Sequence, residues 1–255
     1  MLKKIGIVGY GTLGSYLVDK INEDKNLSLV FVYDVDKDKL SNLDNSIVLN
    51  SMEEAREREA DLIVEVASAE WVESFASLVL EFTDLLIFSV TAFAEEGLQE
   101  NLDKVAKANN TNYYISHGAL LGLDGVRDGR DMIEEVSITT IKPPEKLGIK
   151  EKILSKKILY EGPTRKACEL YPRNVNVHAS LAIHGLGFDK TISKVIADPE
   201  VNTMRHIVEV KGQGLAWIID VQSRPVGAVT GAYTPESAFQ TVKRICTQEY
   251  GMKLI

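Results

Sequence analysis

Several kinds of residue that would point to a function are scarce in this chain of 255 residues. It has only two cysteines, Cys168 and Cys246, far apart and outside any C-x-x-C pair. A disulfide framework is thereby excluded, and two reduced thiols in a cytoplasmic protein are expected. No apolar run approaches the about 20 residues of a membrane-spanning helix. Glycines also interrupt the apolar run that follows "MLKK", so we expect neither a signal peptide nor a membrane partner.

The chain also has no excess of positive charge, and histidine is scarce. The net charge is -8, which argues against a nucleic acid as partner, because that polyanion requires a basic face. The four histidines, at positions 117, 178, 184 and 206, include no pair with the i, i+4 spacing of a helical zinc site. We therefore expect no metal. A small acidic substrate stays compatible with this composition, since a cationic pocket can occur in an acidic protein.

The first half of the chain alternates strand-like with helix-like segments. Near-continuous apolar runs such as "DLLIFSV" (84–90) are typical of strands that are buried on both faces. The alternation predicts an α/β fold with an N-terminal doubly wound parallel sheet of the Rossmann type. Ser51 and Glu54 are expected to form a capping box at a helix start. The expected strands are 3–9, 27–34, 46–50, 61–68, 84–90 and 112–117, and the expected helices are 12–22, 51–60, 69–82 and 94–109.

After about residue 120, strands with alternating polarity replace this rhythm. They predict a C-terminal α+β domain with a mainly antiparallel sheet, one face of which lies on a core. A last helix is expected over 234–250, with Thr234 as N-cap, packing back onto the first domain. The expected domains are 1–118 for the dinucleotide and 119–233 for the substrate. The expected strands are 134–144, 156–162, 191–198, 204–212 and 214–223, with helical patches over 164–186.

A glycine-rich loop follows the first strand. Gly9, Gly11 and Gly14 in "GYGTLG" match G-x-G-x-x-G between a strand and a helix, and Asp34 ends the next strand, 20 residues after Gly14. In dinucleotide-binding folds these glycines give a tight turn, close approach of the pyrophosphate and close helix packing, and the acid binds the ribose. The loop therefore predicts a dinucleotide cofactor. Asp34 favours NAD, because a carboxylate repels a 2′-phosphate, and NADP stays open as the alternative.

A second glycine-rich stretch, "ISHGALLGLDGV" (115–126), follows the last strand of the first half. Ligands of such sheets bind beyond the carboxyl ends of the strands. We interpret this stretch as the floor of the nicotinamide and substrate pocket, and a simple interdomain hinge is the alternative.

The motifs of the whole chain resemble those of the L-aspartate dehydrogenases. The resemblance depends on "GYGTLGSYL", "ASAEW" (67–71), "GALLGLDGV" (118–126), "KPP" (142–144), "YPRNVNVHASLA" (171–182) and "RHIVEV" (205–210). It implies NAD(P)-dependent oxidative deamination of L-aspartate to iminoaspartate, which hydrolyses to oxaloacetate and ammonia or feeds NAD biosynthesis. It also implies a homodimer joined through the sheets of the C-terminal domains.

The resemblance assigns roles to single residues. His206 matches the catalytic histidine of the family, and Lys142 matches a lysine expected near a substrate carboxylate. Backbone N–H groups after Gly118 would offer further donors to the substrate. The chemistry fits, since a base must take a proton from the substrate ammonium and histidine titrates near neutral pH. The cofactor-contacting positions implied in this way are Thr12, Leu13, Ala67, Ala119 and Asn176.

Two positions depart from the family pattern. His117 stands where the family more usually has serine, and Ile141 stands where it often has arginine. A missing cation beside Lys142 weakens the case for a dicarboxylate substrate, and His117 is expected to act as a replacement donor or as a second acid or base. His178 and His184 are interpreted as structural. The alternatives are a dehydrogenase for another small amino or hydroxy acid, and an inactive NAD(H)-binding sensor.

Overall fold

A computed structural model describes residues 2–226 and 230–247 of the protein. A parallel five-stranded sheet forms its first part. The strand order is β2-β1-β3-β4-β5 with every pair parallel. Separate apolar clusters cover its two faces, which is why its strands are apolar throughout. The predicted Rossmann-type sheet is confirmed. Its elements are β1 (Lys3–Val8), α1 (Thr12–Glu23), β2 (Leu27–Tyr33), β3 (Leu62–Glu65), α2 (Ala69–Leu80), β4 (Asp84–Ile87), α3 (Leu98–Asn109) and β5 (Tyr113–Ile115).

The prediction of a strand at 46–50 is wrong. Only an isolated bridge joins Val48 to Val32 of β2, and a 3₁₀ helix, Met52–Arg58, begins almost at once. The apolar run "IVL" is too short to extend the sheet before that helix starts. The expected capping box is also absent, because the Glu54 carboxylate accepts from the N–H of Asn50 and Ser51 caps no N–H.

A second five-stranded sheet, of order β10-β9-β6-β8-β7, forms the later part. Its neighbours are antiparallel except for β6 and β8, so it is mixed but mainly antiparallel, as predicted. One face packs against the helices α4 and α6 through an apolar cluster. Its elements are α4 (Leu123–Asp128), β6 (Ile133–Lys142), β7 (Lys157–Pro163), α5 (Thr164–Leu170), α6 (Asn176–His184), β8 (Ile192–Ala197), β9 (Met204–Gly212) and β10 (Leu215–Ser223).

The register of this sheet places Thr140 beside two functional candidates, Lys142 and His206. Thr140 of β6 lies directly opposite His206 of β9. Because side chains alternate along a strand, Thr140 and Lys142 lie on the face that carries His206, while Ile141 lies on the other face. All three residues of the first face are buried, with Lys142 only 2% and His206 only 6% exposed.

The last described helix, α7 (Tyr233–Cys246), follows a short hairpin of β11 (Pro225–Val226) and β12 (Thr230–Gly231). Its N-cap is Ala232 and not Thr234, so Pro235 lies in the first turn, where no N–H partner is lost. The apolar face of α7 packs on α1 of the first sheet, and Tyr16 donates to Glu236 over 2.7 Å. The predicted positions 248–250 lie outside the described residues. Within residues 2–226 and 230–247, no helix has the length and apolar character to cross a membrane.

Candidate active site

The first glycine loop is built for close contact on one side and for open space on the other. Gly9 has a φ of +94°, and a Cβ there would meet the backbone of Val66 at 2.7 Å. A Cβ on Gly14 would lie 1.9 Å from the carbonyl oxygen of Gly9, so only glycine lets α1 approach β1 this closely. A Cβ on Gly11 would meet no atom of the other described residues within 4 Å. The free space at Gly11 is therefore available to a ligand and not taken up by packing.

Asp34 fixes this loop from the end of β2. Its carboxylate accepts from the N–H of Tyr10 at 2.7 Å and of Asp36 at 2.8 Å, and Lys39 lies 3.4 Å away. Burial alone would raise the pKa of Asp34, but these hydrogen bonds and Lys39 lower it below the ordinary value, so the group is ionised. Asp34 lies beside the large cleft described next and not in its wall.

A cleft of about 560 Å³ opens at the carboxyl ends of β1, β3 and β4. Five positions predicted for the cofactor lie in its wall: Gly11, Thr12, Leu13, Ala67 and, from α6, Asn176. The other lining residues come from the loops after β3 and β4, from the start of α2 and from the segment before α6: Val66, Ser68, Ala69, Glu70, Phe88, Ser89, Pro172 and Arg173.

A buried carboxylate holds the wall of this cleft in place. Glu65, fully buried at the end of β3, accepts from the N–H groups of Ala67, Phe88 and Ser89 at 2.7, 3.1 and 2.9 Å. The Ser89 hydroxyl donates to it as well, at 2.6 Å. One side chain thus ties together the two loops that line the cleft, a role that the strand pattern of "LIVE" did not reveal.

A smaller cavity of about 120 Å³ adjoins the cleft and contains the expected chemistry. His206, Lys142, Gly118, Ala119 and Asn176 all line it. The two spaces share Leu13, Phe88, Arg173 and Asn176. The structure therefore brings together residues from both ends of the chain, and it places Gly118 and Ala119 of the second glycine stretch in the wall of the smaller cavity.

Lys142 is a buried cation without a carboxylate partner in the described part of the chain. Its ammonium donates to the backbone oxygen and the side-chain oxygen of Asn174, at 3.5 and 3.2 Å. Burial lowers the pKa of Lys142 to about 8. An ionic partner would stabilise the charged form, so the site is suited to a carboxylate from outside the chain.

His206 is neutral in this environment. Burial, together with the nearby charge of Lys142, lowers its pKa to about 3. Its Nδ1 lies 2.8 Å from the Thr140 hydroxyl, and its Nε2 has no hydrogen-bond partner among the described residues. Since the ring lines the smaller cavity, Nε2 is the nitrogen available to a ligand.

Asn176 presents a donor to the cleft. Its Oδ1 accepts from the backbone N–H of Thr91 at 3.1 Å and from the Thr91 hydroxyl at 3.2 Å. A backbone N–H only donates, so this contact fixes the orientation of the amide. The Nδ2 group is consequently left to donate to a ligand carbonyl.

The two departures from the family pattern lie away from the cavity walls. Nδ1 of His117 lies 3.0 Å from the carbonyl of Leu120 and Nε2 lies 3.4 Å from Ser237 of α7, and His117 lines neither space. Ile141 faces Arg205 on the other face of the second sheet. The expectation that Ile141 removes a cation from the substrate pocket is therefore wrong, because a side chain at 141 points away from Lys142.

Several lining residues were missed by the sequence analysis. Arg173 lies exposed between the two spaces, with no side-chain hydrogen bond or ion pair to another described residue. It occurs within the quoted run "YPRNVNV", but nothing in its local pattern distinguishes it from an ordinary surface arginine. Asn174, which holds Lys142, was missed for the same reason.

Comparisons with known proteins agree with this geometry. A family profile described as "Aspartate dehydrogenase, C-terminal" matches residues 124–245, and one described as "Homoserine dehydrogenase, NAD binding domain" matches residues 9–116. The L-aspartate dehydrogenase of Methanosarcina acetivorans is 33% identical over 95% of this chain and 96% of its own length. The chain belongs to the L-aspartate dehydrogenase family. The enzyme of that name from Nitrosopumilus maritimus is 30% identical over 97% of this chain and 98% of its own.

A solved member of the L-aspartate dehydrogenase family has the same architecture. The crystal structure of aspartate dehydrogenase from Thermotoga maritima superimposes with a TM-score of 0.80 at 25% identity and covers 99% of this chain and all of that one. Membership makes this chain a dehydrogenase that uses a pyridine nucleotide. The open space at Gly11 and the free Asn176 donor fit such a cofactor, the first its pyrophosphate and the second its carboxamide.

Proposed function

We propose that this dehydrogenase oxidises L-aspartate to iminoaspartate with NAD as the cofactor. The observation that carries the proposal is the buried Lys142, which has no carboxylate partner among the described residues and lies in the same cavity wall as the neutral His206. One supplies the charge that a substrate carboxylate requires, and the other supplies a base. Bound NAD would accept the hydride that leaves C2 of the substrate.

The residues of the chain divide the remaining work. Nε2 of His206 takes one proton from the substrate ammonium, so that the nitrogen lone pair can form the iminium bond as the hydride leaves. Lys142 pairs with one carboxylate and thereby orients C2. Water then adds to the iminium carbon, which gives oxaloacetate and ammonium.

The second carboxylate of aspartate also requires a cation. Arg173 lines both the smaller cavity and the cleft, so its guanidinium is placed to reach a substrate that lies between them. A planar guanidinium can bind a carboxylate through two hydrogen bonds. We assign Arg173 to the second carboxylate, so this role requires no cation at position 141.

The test is NADH production with L-aspartate beside D-aspartate, L-glutamate, L-homoserine and L-malate. We expect turnover restricted to L-aspartate. A much larger kcat/KM with another acid would establish the alternative of a different small amino or hydroxy acid substrate. Tight NADH binding without any turnover would establish the inactive sensor.

The preference for NAD over NADP is expected to depend on Asp34. Its carboxylate would repel a 2′-phosphate, whereas Lys39, 3.4 Å from it, would attract one once the carboxylate is gone. Asp34→Ser should therefore raise the ratio of kcat/KM for NADP to that for NAD by about 10-fold or more, equal to about 1.4 kcal/mol.

The ratio separates this effect from damage to the loop, since losing the hydrogen bond from Tyr10 would weaken both cofactors. Asp38→Ser, on the exposed segment beside it, is the matched control and should leave the ratio unchanged. An unchanged ratio in Asp34→Ser would contradict the role of Asp34.

The context of the enzyme is proposed as well. We assign 1–118 to cofactor binding and 119–233 to substrate binding and dimerisation, and we propose a cytoplasmic homodimer that supplies NAD biosynthesis. The free thiols fit a reducing compartment. The outward face of the second sheet exposes Ile218 by 67% and Ile192 by 39%, which fits an interface. A mass of 28.2 kDa by light scattering, that of one chain, would overturn the dimer.

A further inference from the structure

A chain of hydrogen bonds leads from His206 into the interior of the second sheet. Thr140 lies between the two imidazoles, with its hydroxyl 2.8 Å from Nδ1 of His206 and 2.6 Å from Nε2 of His178. Nδ1 of His178 lies 2.9 Å from the Ser193 hydroxyl. The chain continues for 2.7 Å to the hydroxyl of Thr164, which donates over 2.9 Å to the carbonyl of Thr191. All of these residues except His206 are 0% exposed.

The Thr191 carbonyl at the end of this hydrogen-bond chain fixes which group donates in each of its hydrogen bonds. A carbonyl oxygen only accepts, so the single proton of the Thr164 hydroxyl is used there. Ser193 must then donate to Thr164, which leaves the Ser193 oxygen to accept from Nδ1–H of His178. Burial lowers the pKa of His178 well below its ordinary value, so that its ring carries one proton only. Its Nε2 is consequently an acceptor.

The same argument fixes which nitrogen of His206, at the cavity, carries the proton. Thr140 donates to Nε2 of His178, and its oxygen therefore accepts from Nδ1–H of His206. Since His206 is also neutral, its Nε2 carries a lone pair, and this nitrogen has no partner among residues 2–226 and 230–247. The lone pair faces the cavity that Lys142 lines.

We propose that Thr140, His178, Ser193 and Thr164 are positioning residues that hold His206 in the Nδ1–H tautomer, with Nε2 unprotonated and facing the substrate. The proposal deepens the proposed function, and it rests on that function for the assignment of His206 as the base that takes a proton from the substrate ammonium. Every residue in this hydrogen-bond chain is neutral. The orientation of His206 therefore does not depend on a charged residue, as it would in a His–carboxylate pair. His178 thereby gains a role beyond the packing that the sequence indicated.

The test compares Thr140→Val with Thr140→Ser. Valine has nearly the shape of threonine but neither donates nor accepts, so Nδ1 of His206 would lose the group that keeps its proton there. We expect kcat with L-aspartate to fall by about 10- to 100-fold in Thr140→Val, within the range that a general base contributes. NADH affinity and KM should change little, and Thr140→Ser should retain most of the activity.

A spectroscopic measurement tests the tautomer without any substrate. Nitrogen-15 NMR of the imidazoles, assigned with His206→Gln, should show a protonated Nδ1 and a bare Nε2 for His206 in the wild type. In Thr140→Val the proton should move, wholly or in part, to Nε2. A wild-type ring protonated on Nε2, or full kcat in a folded Thr140→Val, would overturn the proposal.

A second variant keeps the test decisive if Thr140→Val does not fold. Ser193→Ala interrupts the hydrogen-bond chain two hydrogen bonds further from the cavity than Thr140→Val does. Ser193 lines neither the cleft nor the smaller cavity. It should lower kcat several-fold and shift the tautomer in the same direction, and unchanged values of both would count against the proposal. Absence of aspartate turnover in a wild type that shows the expected tautomer would instead reject the proposed function alone.

Discussion

Replacing His206 by alanine is expected to lower kcat with L-aspartate by about 100-fold or more while the affinity for NADH stays nearly constant. The expected size is that of a lost general base. NADH affinity should survive because His206 lines the smaller cavity and does not line the cleft around Gly11. Stopped-flow turnover and fluorescence titration with NADH measure the two quantities separately.

His184→Ala is the matched control for this variant. His184 lies at the end of α6, with Nδ1 2.8 Å from the carbonyl of Ser180, and lines neither cavity. It should retain the wild-type kcat. Equal loss of NADH binding and turnover in His206→Ala would indicate that the ring stabilises the fold and takes no part in the chemistry.

Replacing Lys142 by methionine is expected to abolish productive aspartate binding and to stabilise the unliganded protein. The cation is 2% exposed, and its pKa falls from 10.5 to about 8 on folding. At neutral pH this shift costs the folded state about 3 kcal/mol, at about 1.36 kcal/mol per unit. Lys142→Met should remove that cost and should raise the KM for aspartate by about 100-fold or more, because a buried charge pair is lost.

Denaturant titrations at several pH values check the stability half of this prediction. The folded pKa of Lys142 lies below the unfolded one, so the unfolded chain binds more protons between about pH 8 and 10.5. Within that window, this group makes the free energy of unfolding of the wild type rise with pH, and Lys142→Met should lose that rise. Lys150→Met, at an exposed lysine, should resemble the wild type.

The part of this prediction that concerns aspartate binding also depends on pH, through the ionisation of Lys142. The value of kcat/KM reports ionisation of the free enzyme, so it should fall above about pH 8 as Lys142 loses its charge. Wild-type kcat/KM that stays level through pH 9, or a Lys142→Met variant with unchanged KM, would contradict a role for Lys142 in holding a carboxylate.

The elements whose pattern is local were readable from the amino-acid order. The G-x-G-x-x-G loop, the apolar parallel strands and the alternating strands each depend on neighbours within a few residues, and the predicted bounds of β9, 204–212, agree with those observed. The family motifs added His206, Lys142, Ala119 and Asn176, which the structure gathers around one cavity. Short apolar runs were less informative, as the missing strand at 46–50 shows.

What the sequence determined by itself is therefore the class of fold, the cofactor loop and the residue types of the chemistry. Only the tertiary structure decided which side chains meet: that His117 joins the second glycine stretch to α7, and that Thr140 lies opposite His206. The reason is physical. Sheet register and the direction of a hydrogen-bond chain are set by pairings between segments that lie tens of residues apart, and no local pattern encodes those pairings.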